Sequence, residues 1–241
     1  LRDPGARDPG VVEVAQHSLG LIRETADTIR VVDLYPGPVY QYSEFQGRLT
    51  RTVLPFSGST RFGVSADRVH VGFPDRSEIR VFGSNGALER IVRRVFHPIR
   101  VTDADMEWLL ERRLGEVDGA ENQSLVRQAF RGLRHAEEMP AFGVPVWTSG
   151  REKGGPDMIA DAEGNLWVFD YYRPGEYRNR FSVFSPEGVW MGSVDVPEGL
   201  QPSQIGADFL IGTLTDEMGF VHVRQHRLVK PPYPGKEGGR P

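Results

Sequence analysis

The stretch "SEIRVFGSNGALERIVRR", Ser77–Arg94, returns about a hundred residues later as "NRFSVFSPEGVWMGSVDV", Asn179–Val196. Each reads as a strand, a short turn ending in glycine, and a second strand. Ile79, Val81 and Phe82 precede Gly86, and Leu88 and Val92 follow it. Phe181, Val183 and Phe184 precede Gly188, and Trp190 and Val194 follow it. A third copy, "VYQYSEFQGRLTRTV" (Val39–Val53), sets Tyr40 and Tyr42 before Gly47 and Leu49 and Val53 after it. Apolar residues two apart on each arm put one face of each strand against a core. The glycine supplies the positive φ that a tight hairpin needs.

The spacing of these hairpins is informative. Gly47 and Gly86 are 39 residues apart. Gly86 and Gly188 are 102 apart, and removing the non-repeating residues 96–155 leaves 42. A period of about 40 residues with several strands in each period is the pattern of a β-propeller blade. Two further strands precede each of the two later hairpins, at Phe62–Phe73 and Met158–Tyr171, each pair with an acidic turn at Asp67 or Asp161. Gln204–Leu214 repeats this pair around Asp208, and a third strand follows at Phe220–Leu228. The expected fold is therefore all-β, a propeller with about four blades in view. Two blades have four strands and the last has three. Val11–Leu19 alternates poorly and reads as a weak closing strand, which leaves the ring open. Residues 1–10 read as a linker, 11–228 as blades, and the proline- and glycine-rich 229–241 as a disordered tail.

Residues 101–139 are different material, expected as a two-helix insertion between blades. In "VTDADMEWLLERRLGE", Thr102 followed by Asp105 is a capping-box arrangement, and Met106, Leu109, Leu110 and Leu114 share a helical face. In "ENQSLVRQAFRGLRHAEE", Val126, Ala129, Phe130 and Leu133 form the stripe of a second helix. A net charge of −4, from 33 acidic and 29 basic side chains, gives no support for a nucleic-acid partner. No apolar run approaches the roughly 18 residues of a membrane span. The absence of cysteine removes disulfides and thiolate metal sites from consideration.

The residues Asp161-Ala-Glu-Gly164-Asn165-Leu166-Trp167-Val168, followed by Val183-Phe184-Ser-Pro186-Glu-Gly188, resemble the blade phrase of six-bladed β-propellers of the TolB-like and NHL-repeat type. The "IRVF…G.L.RIVRR…VT..D" series before a helical pair looks like bacterial six-bladed propeller proteins without an assigned activity. The resemblance covers about residues 28–228. It implies a six-bladed ring, of which this chain is the C-terminal portion with its closing strand before Leu1. It also leans towards an extracytoplasmic or periplasmic location, with the compartment itself left open.

Propellers bind where loops converge at one end of the blades. The loop Asp170–Arg180 is the longest and carries Asp170, Tyr172 and Arg173. Trp147 stands between the helices and the next blade, available either to stack a ligand or to staple the insertion. Arg100 ends the run "ERIVRRVFHPIR" (with Arg90, Arg93 and Arg94), which alternates like one solvated face of an outer strand. These five are the candidate ligand-binding residues: Trp147, Asp170, Tyr172, Arg173 and Arg100. No metal site is expected, because Arg224 stands between His222 and His226. Neither GxSxG, HExxH nor a phosphate loop occurs. The reading is a non-enzymatic binding scaffold for a protein or peptide, with no cofactor. The alternative is a lactonase-like hydrolase or lyase with one divalent metal such as calcium. For it, Glu163, Asn165 and Asp170 have suitable side chains.

Overall fold

A computed structural model describes residues 8–21, 30–45, 47–65, 67–145 and 156–229. Of the expected linker and tail, only residues 8–10 and Val229 fall within them. The chain is predominantly β, and every sheet is antiparallel. The first sheet is β1 (Val12–Leu21), β2 (Arg30–Phe45) and β3 (Arg48–Val53), in that order. The segment expected as a weak closing strand instead pairs with β2, as the first strand of this sheet. Pro36 and Pro38 of β2 have no N–H to give the ladder, and the register shifts between Val14 and Gln16 opposite them.

The second sheet is a four-stranded meander: β4 (Arg61–Ser65), β5 (Arg68–Phe73), β6 (Glu78–Gly83) and β7 (Leu88–Arg93). The insertion then opens with β8 (Ile99–Arg100), continues through α1 (Asp103–Gly115) and α2 (Ala120–Phe130), and ends at β9 (Glu138–Met139), which pairs with β8. A second four-stranded meander follows: β10 (Met158–Ala160), β11 (Leu166–Phe169), β12 (Arg180–Phe184) and β13 (Trp190–Asp195). The last sheet has three strands, β14 (Gln201–Ile205), β15 (Phe209–Thr215) and β16 (Val221–Arg227). The three expected hairpins pair as read, with Phe45 opposite Arg48, Phe82 opposite Leu88 and Phe184 opposite Trp190. Among the described residues no sheet closes on itself.

The sheets pack face to face. Tyr35 of β2 meets Val71 and Phe73 of β5. The other face of that second sheet, with Ile79, Val81 and Val92, meets Leu166, Val168 and Phe184. The opposite face of β11 and β12, with Trp167, Phe169, Phe181 and Val183, meets Leu200, Ile205 and Leu210 of the last sheet and Leu109 of α1. β10 lies beside both β4 and β14, so the first strands of three consecutive sheets are neighbours. Gly188 has φ of +81°, and a Cβ there would lie 2.7 Å from a methyl carbon of Val92. Turn geometry and close approach both require glycine at that hairpin.

One helix needs a correction to the sequence reading. α1 buries Leu109 and Leu114 as expected, and the Asp105 carboxylate accepts a hydrogen bond from the Thr102 N–H at 2.8 Å. α2, however, ends at Phe130, before Gly132 with φ of +76°. Leu133 is therefore not helical, Ala129 is exposed, and no residue of α2 is fully buried. The arginine run also departs from expectation, because its members do not share one solvated face. Arg90 reaches across to the Pro186 carbonyl, while Arg93 lies on the other side of β7 and pairs with buried Glu78 at 2.8 Å.

Candidate functional site

The turns of the meanders divide between two ends. Hairpin turns such as 161–164 and 185–188 lie at one end. The connections 74–77, 170–179 and 216–220, each between the second and third strand of a sheet, lie at the other. At this second end a cleft of about 240 Å³ opens between the insertion and the two four-stranded sheets. Arg94, Phe96, Ile99, Asp170, Tyr171, Tyr172, Arg178 and Arg180 are among its walls.

Asp170 follows β11 directly and is fixed by its surroundings. Its N–H donates to the Arg180 carbonyl at 2.9 Å, and it bridges to Phe142. The Ser182 hydroxyl donates to its carboxylate at 2.7 Å. Arg94, just past the end of β7, donates to Ser182 and lies 3.5 Å from the same carboxylate. Burial raises the Asp170 pKa, and the Ser182 hydroxyl and Arg94 oppose that rise. Arg180 is held from outside by Asp195, through Nε at 2.6 Å and a second N–H at 2.9 Å. The hydrogen bonds from Arg180 depress the Asp195 pKa. Arg178 is exposed and enters no hydrogen bond or ion pair among the described residues. The cleft thus presents three guanidinium groups against one internally satisfied carboxylate, with Tyr171 half-buried beside them. That is an environment for an anion, in which charge-assisted hydrogen bonds supply the attraction.

Of the five sequence candidates, the structure brings Asp170 and Tyr172 into this cleft. Tyr172 is a buried wall, with its ring edge-on to Phe169 and to Tyr177. Arg173 turns the other way. It binds buried Asp105 through two hydrogen bonds of 2.8 and 2.9 Å, and so pins the loop to the start of α1. These bonds, more than any other influence, hold the Asp105 pKa down to about 2. Arg100 is exposed on β8, next to Ile99 of the cleft wall. Trp147 lies outside the described residues. Sequence reasoning missed Arg178, Arg180 and Ser182 as parts of this site. Ser182 carried a signal, being a hydroxyl between Phe181 and Val183 in a strand buried on both faces.

The residues offered for a divalent metal do not fit one. Asn165 donates to Asp161 at 2.9 Å, and Asp161 also accepts from Trp167 at 3.2 Å, so this group is spent on a turn. Asp170 lies at the other end of β11, about 17 Å away at the rise of a strand. His222 is bonded to Asp216 at 2.8 Å. Among the described residues no group of three or more His, Asp or Glu is placed to hold an ion.

At the hairpin-turn end, a larger cleft of about 620 Å³ separates the two four-stranded sheets. His70 is buried in its wall, with Nε2 3.0 Å from the Ser65 hydroxyl and Nδ1 unpartnered. Burial, reinforced by Arg68, lowers the His70 pKa to about 4. A neutral imidazole of such low basicity is a poor general base at neutral pH. No model of a known protein family matches the chain, and no curated protein matches it.

Proposed function

We propose that this chain folds as β-propeller blades of the TolB-like or NHL-repeat type and acts as a binding scaffold for a protein or peptide. The meander sheets, their face-to-face packing and the adjacency of β4, β10 and β14 support the propeller reading. The observation that carries the binding reading is the loop-end cleft. Arg94 and Arg180 are anchored there by carboxylates, while exposed Arg178 stays available beside Tyr171. Tyrosine and arginine are the residue types that dominate recognition surfaces. An acidic side chain or a C-terminal carboxylate of a peptide is the group such a cleft would hold.

The test is titration calorimetry with a tyrosine-tagged hexaglutamate peptide and its lysine counterpart. The glutamate peptide binds the wild-type chain, and Arg178→Glu weakens that binding by roughly tenfold or more without changing the melting temperature. Equal binding of both peptides, or an unaltered affinity in the variant, overturns the proposal.

A further inference from the structure

The cleft of about 620 Å³ at the hairpin-turn end is a slot between the two four-stranded sheets, and residues of both form its walls. Its volume falls within the roughly 300–1,000 Å³ of small-molecule sites. Deeper between the sheets, Ile79, Phe142 and Met158 fill the space, and the sheets part only towards this end. One side is shut by the 185–188 turn against β7, where a Cβ on Gly188 would lie 2.7 Å from Val92 and 3.1 Å from the Arg90 Cδ. The floor is apolar. Val81, Val92, Leu166 and Phe184 reach it, and all four are buried. Facing sheets set about 10 Å apart favour a flat body between them.

Most polar groups around this floor already have partners. Arg68 donates from Nε to Glu89 at 2.9 Å, and Asp67 lies 4.0 Å from Arg68. The Asp161 carboxylate accepts from two N–H groups of its own turn and from the side chains of Asn165 and Trp167. The Ser185 hydroxyl donates to Glu187 at 2.8 Å. Two groups differ. Arg90 crosses the slot and gives one terminal N–H to the Pro186 carbonyl of the opposite sheet. It enters no ion pair among the described residues, so its other N–H groups are left for an acceptor in the slot. His70 is 6% exposed and is bonded through Nε2 to the Ser65 hydroxyl, while its Nδ1 has no hydrogen-bond partner among the described residues. Buried polar atoms are nearly always paired, which marks this wall as a place for a bound group. When Ser65 donates to Nε2, the imidazole proton sits on Nδ1 and is available to an acceptor. Asp67 and Glu163 also stand in the walls and would repel a multiply charged group, so a single negative charge is the better fit.

We infer that this slot is a second binding site, which takes a small monocarboxylate with a flat apolar body. The body lies on Val81, Val92, Leu166 and Phe184, and the carboxylate accepts from the Arg90 guanidinium and the His70 ring N–H. The site is built from two sheets whose eight strands are all described, and it lies at the opposite end from the loop-end cleft. It does not depend on the peptide reading of that cleft.

The probe is cinnamate, with uncharged cinnamamide as a control of nearly equal shape. Titration calorimetry on the full chain should show the acid bound roughly tenfold or more tightly than the amide. Arg90→Gln keeps a hydrogen-bonding side chain without the charge, and should weaken cinnamate binding by roughly tenfold or more. Proton NMR of the histidine rings reads the same site in the wild-type chain, should that variant fold poorly. The His70 ring resonances, assigned by their absence in His70→Gln, should shift when cinnamate is added. Four results contradict the inference. They are no cinnamate binding at millimolar concentration, equal affinity for acid and amide, undiminished binding by a folded Arg90→Gln variant, and His70 resonances that stay in place. Loss of cinnamate binding in Arg178→Glu, with binding kept in Arg90→Gln, would place the probe in the loop-end cleft and equally overturn the inference.

Discussion

The sheet of β10–β13 and the sheet of β14–β16 have the same meander order, yet their strands have opposite fates. All four residues of β11, Leu166–Phe169, are buried, because neighbouring sheets cover both faces. In β16, six of the seven residues are exposed. A strand covered on both faces becomes a continuous apolar run, and a strand at a bare edge keeps charge. "LWVF" and "VHVRQHR" differ accordingly. The difference teaches that position in the stack, more than hairpin chemistry, decides what each copy of the repeat can carry.

The comparison breaks most visibly at Trp167. It is 2% exposed and its indole N–H donates to Asp161. Trp167→Ala should cost about 3–5 kcal/mol through the cavity it leaves, measured by urea denaturation. An unchanged midpoint would mean that the register of β11 is wrong. The next effect is at the junction of α1 with the 170–179 loop. Asp105→Asn removes the charged acceptor of two Arg173 hydrogen bonds and should cost about 2 kcal/mol. The native pKa of Asp105 is depressed, so its contribution is present above the ordinary carboxylate range. It is lost as pH falls from near 3.8 through about 2. The variant should lack that part of the acid transition.

His70 sharpens the contrast between covered and bare sheets in another way. Its native pKa is lowered, so between pH 6.5 and about 4 the unfolded chain binds a proton that the folded chain refuses. Stability therefore declines as pH falls through that window. His70→Gln should flatten this segment of the stability–pH profile, and an identical slope in the variant counts against a buried neutral imidazole. The smallest effect belongs to β16. Val223→Ala, at an exposed edge, should change stability by less than about 0.5 kcal/mol. A loss comparable to that of Trp167→Ala would show that β16 is covered after all.

Much of this architecture was legible in local chemistry. The turn glycines, the acidic turns at Asp67, Asp161 and Asp208, and the Thr102–Asp105 pair each act within a few residues. Their consequences could be read without knowing the fold. The arginines could not be read so. The pleat of β7 puts Arg90 and Arg93 on opposite faces, so that Arg90 reaches the next sheet while Arg93 pairs with Glu78 within its own, and Arg173 is claimed by a helix far away in sequence. The loop-end cleft was half visible for the same reason. Asp170 and Tyr172 announced themselves in one loop, whereas Arg94 joins them only through the packing of two sheets. α2 was overextended because its apolar spacing continues past Gly132, where the backbone turns away.

The two four-stranded meanders pack face to face, with the β12–β13 hairpin turn of the later one against β7, the outer strand of the earlier one. The chain has no cysteine, so a double-cysteine variant reports on this without background. A Cβ on Gly188 would lie 3.8 Å from the Val92 Cβ, within the range a disulfide bridges. Val92→Cys with Gly188→Cys carries a penalty of about 1–2 kcal/mol for positive φ at position 188. Mild oxidation should nevertheless yield an intramolecular disulfide, found by mass spectrometry of the linked peptides. Val223→Cys with Gly188→Cys should give none. Failure of the first pair to link in a folded variant, or equal linking of the second, would contradict the packing described here.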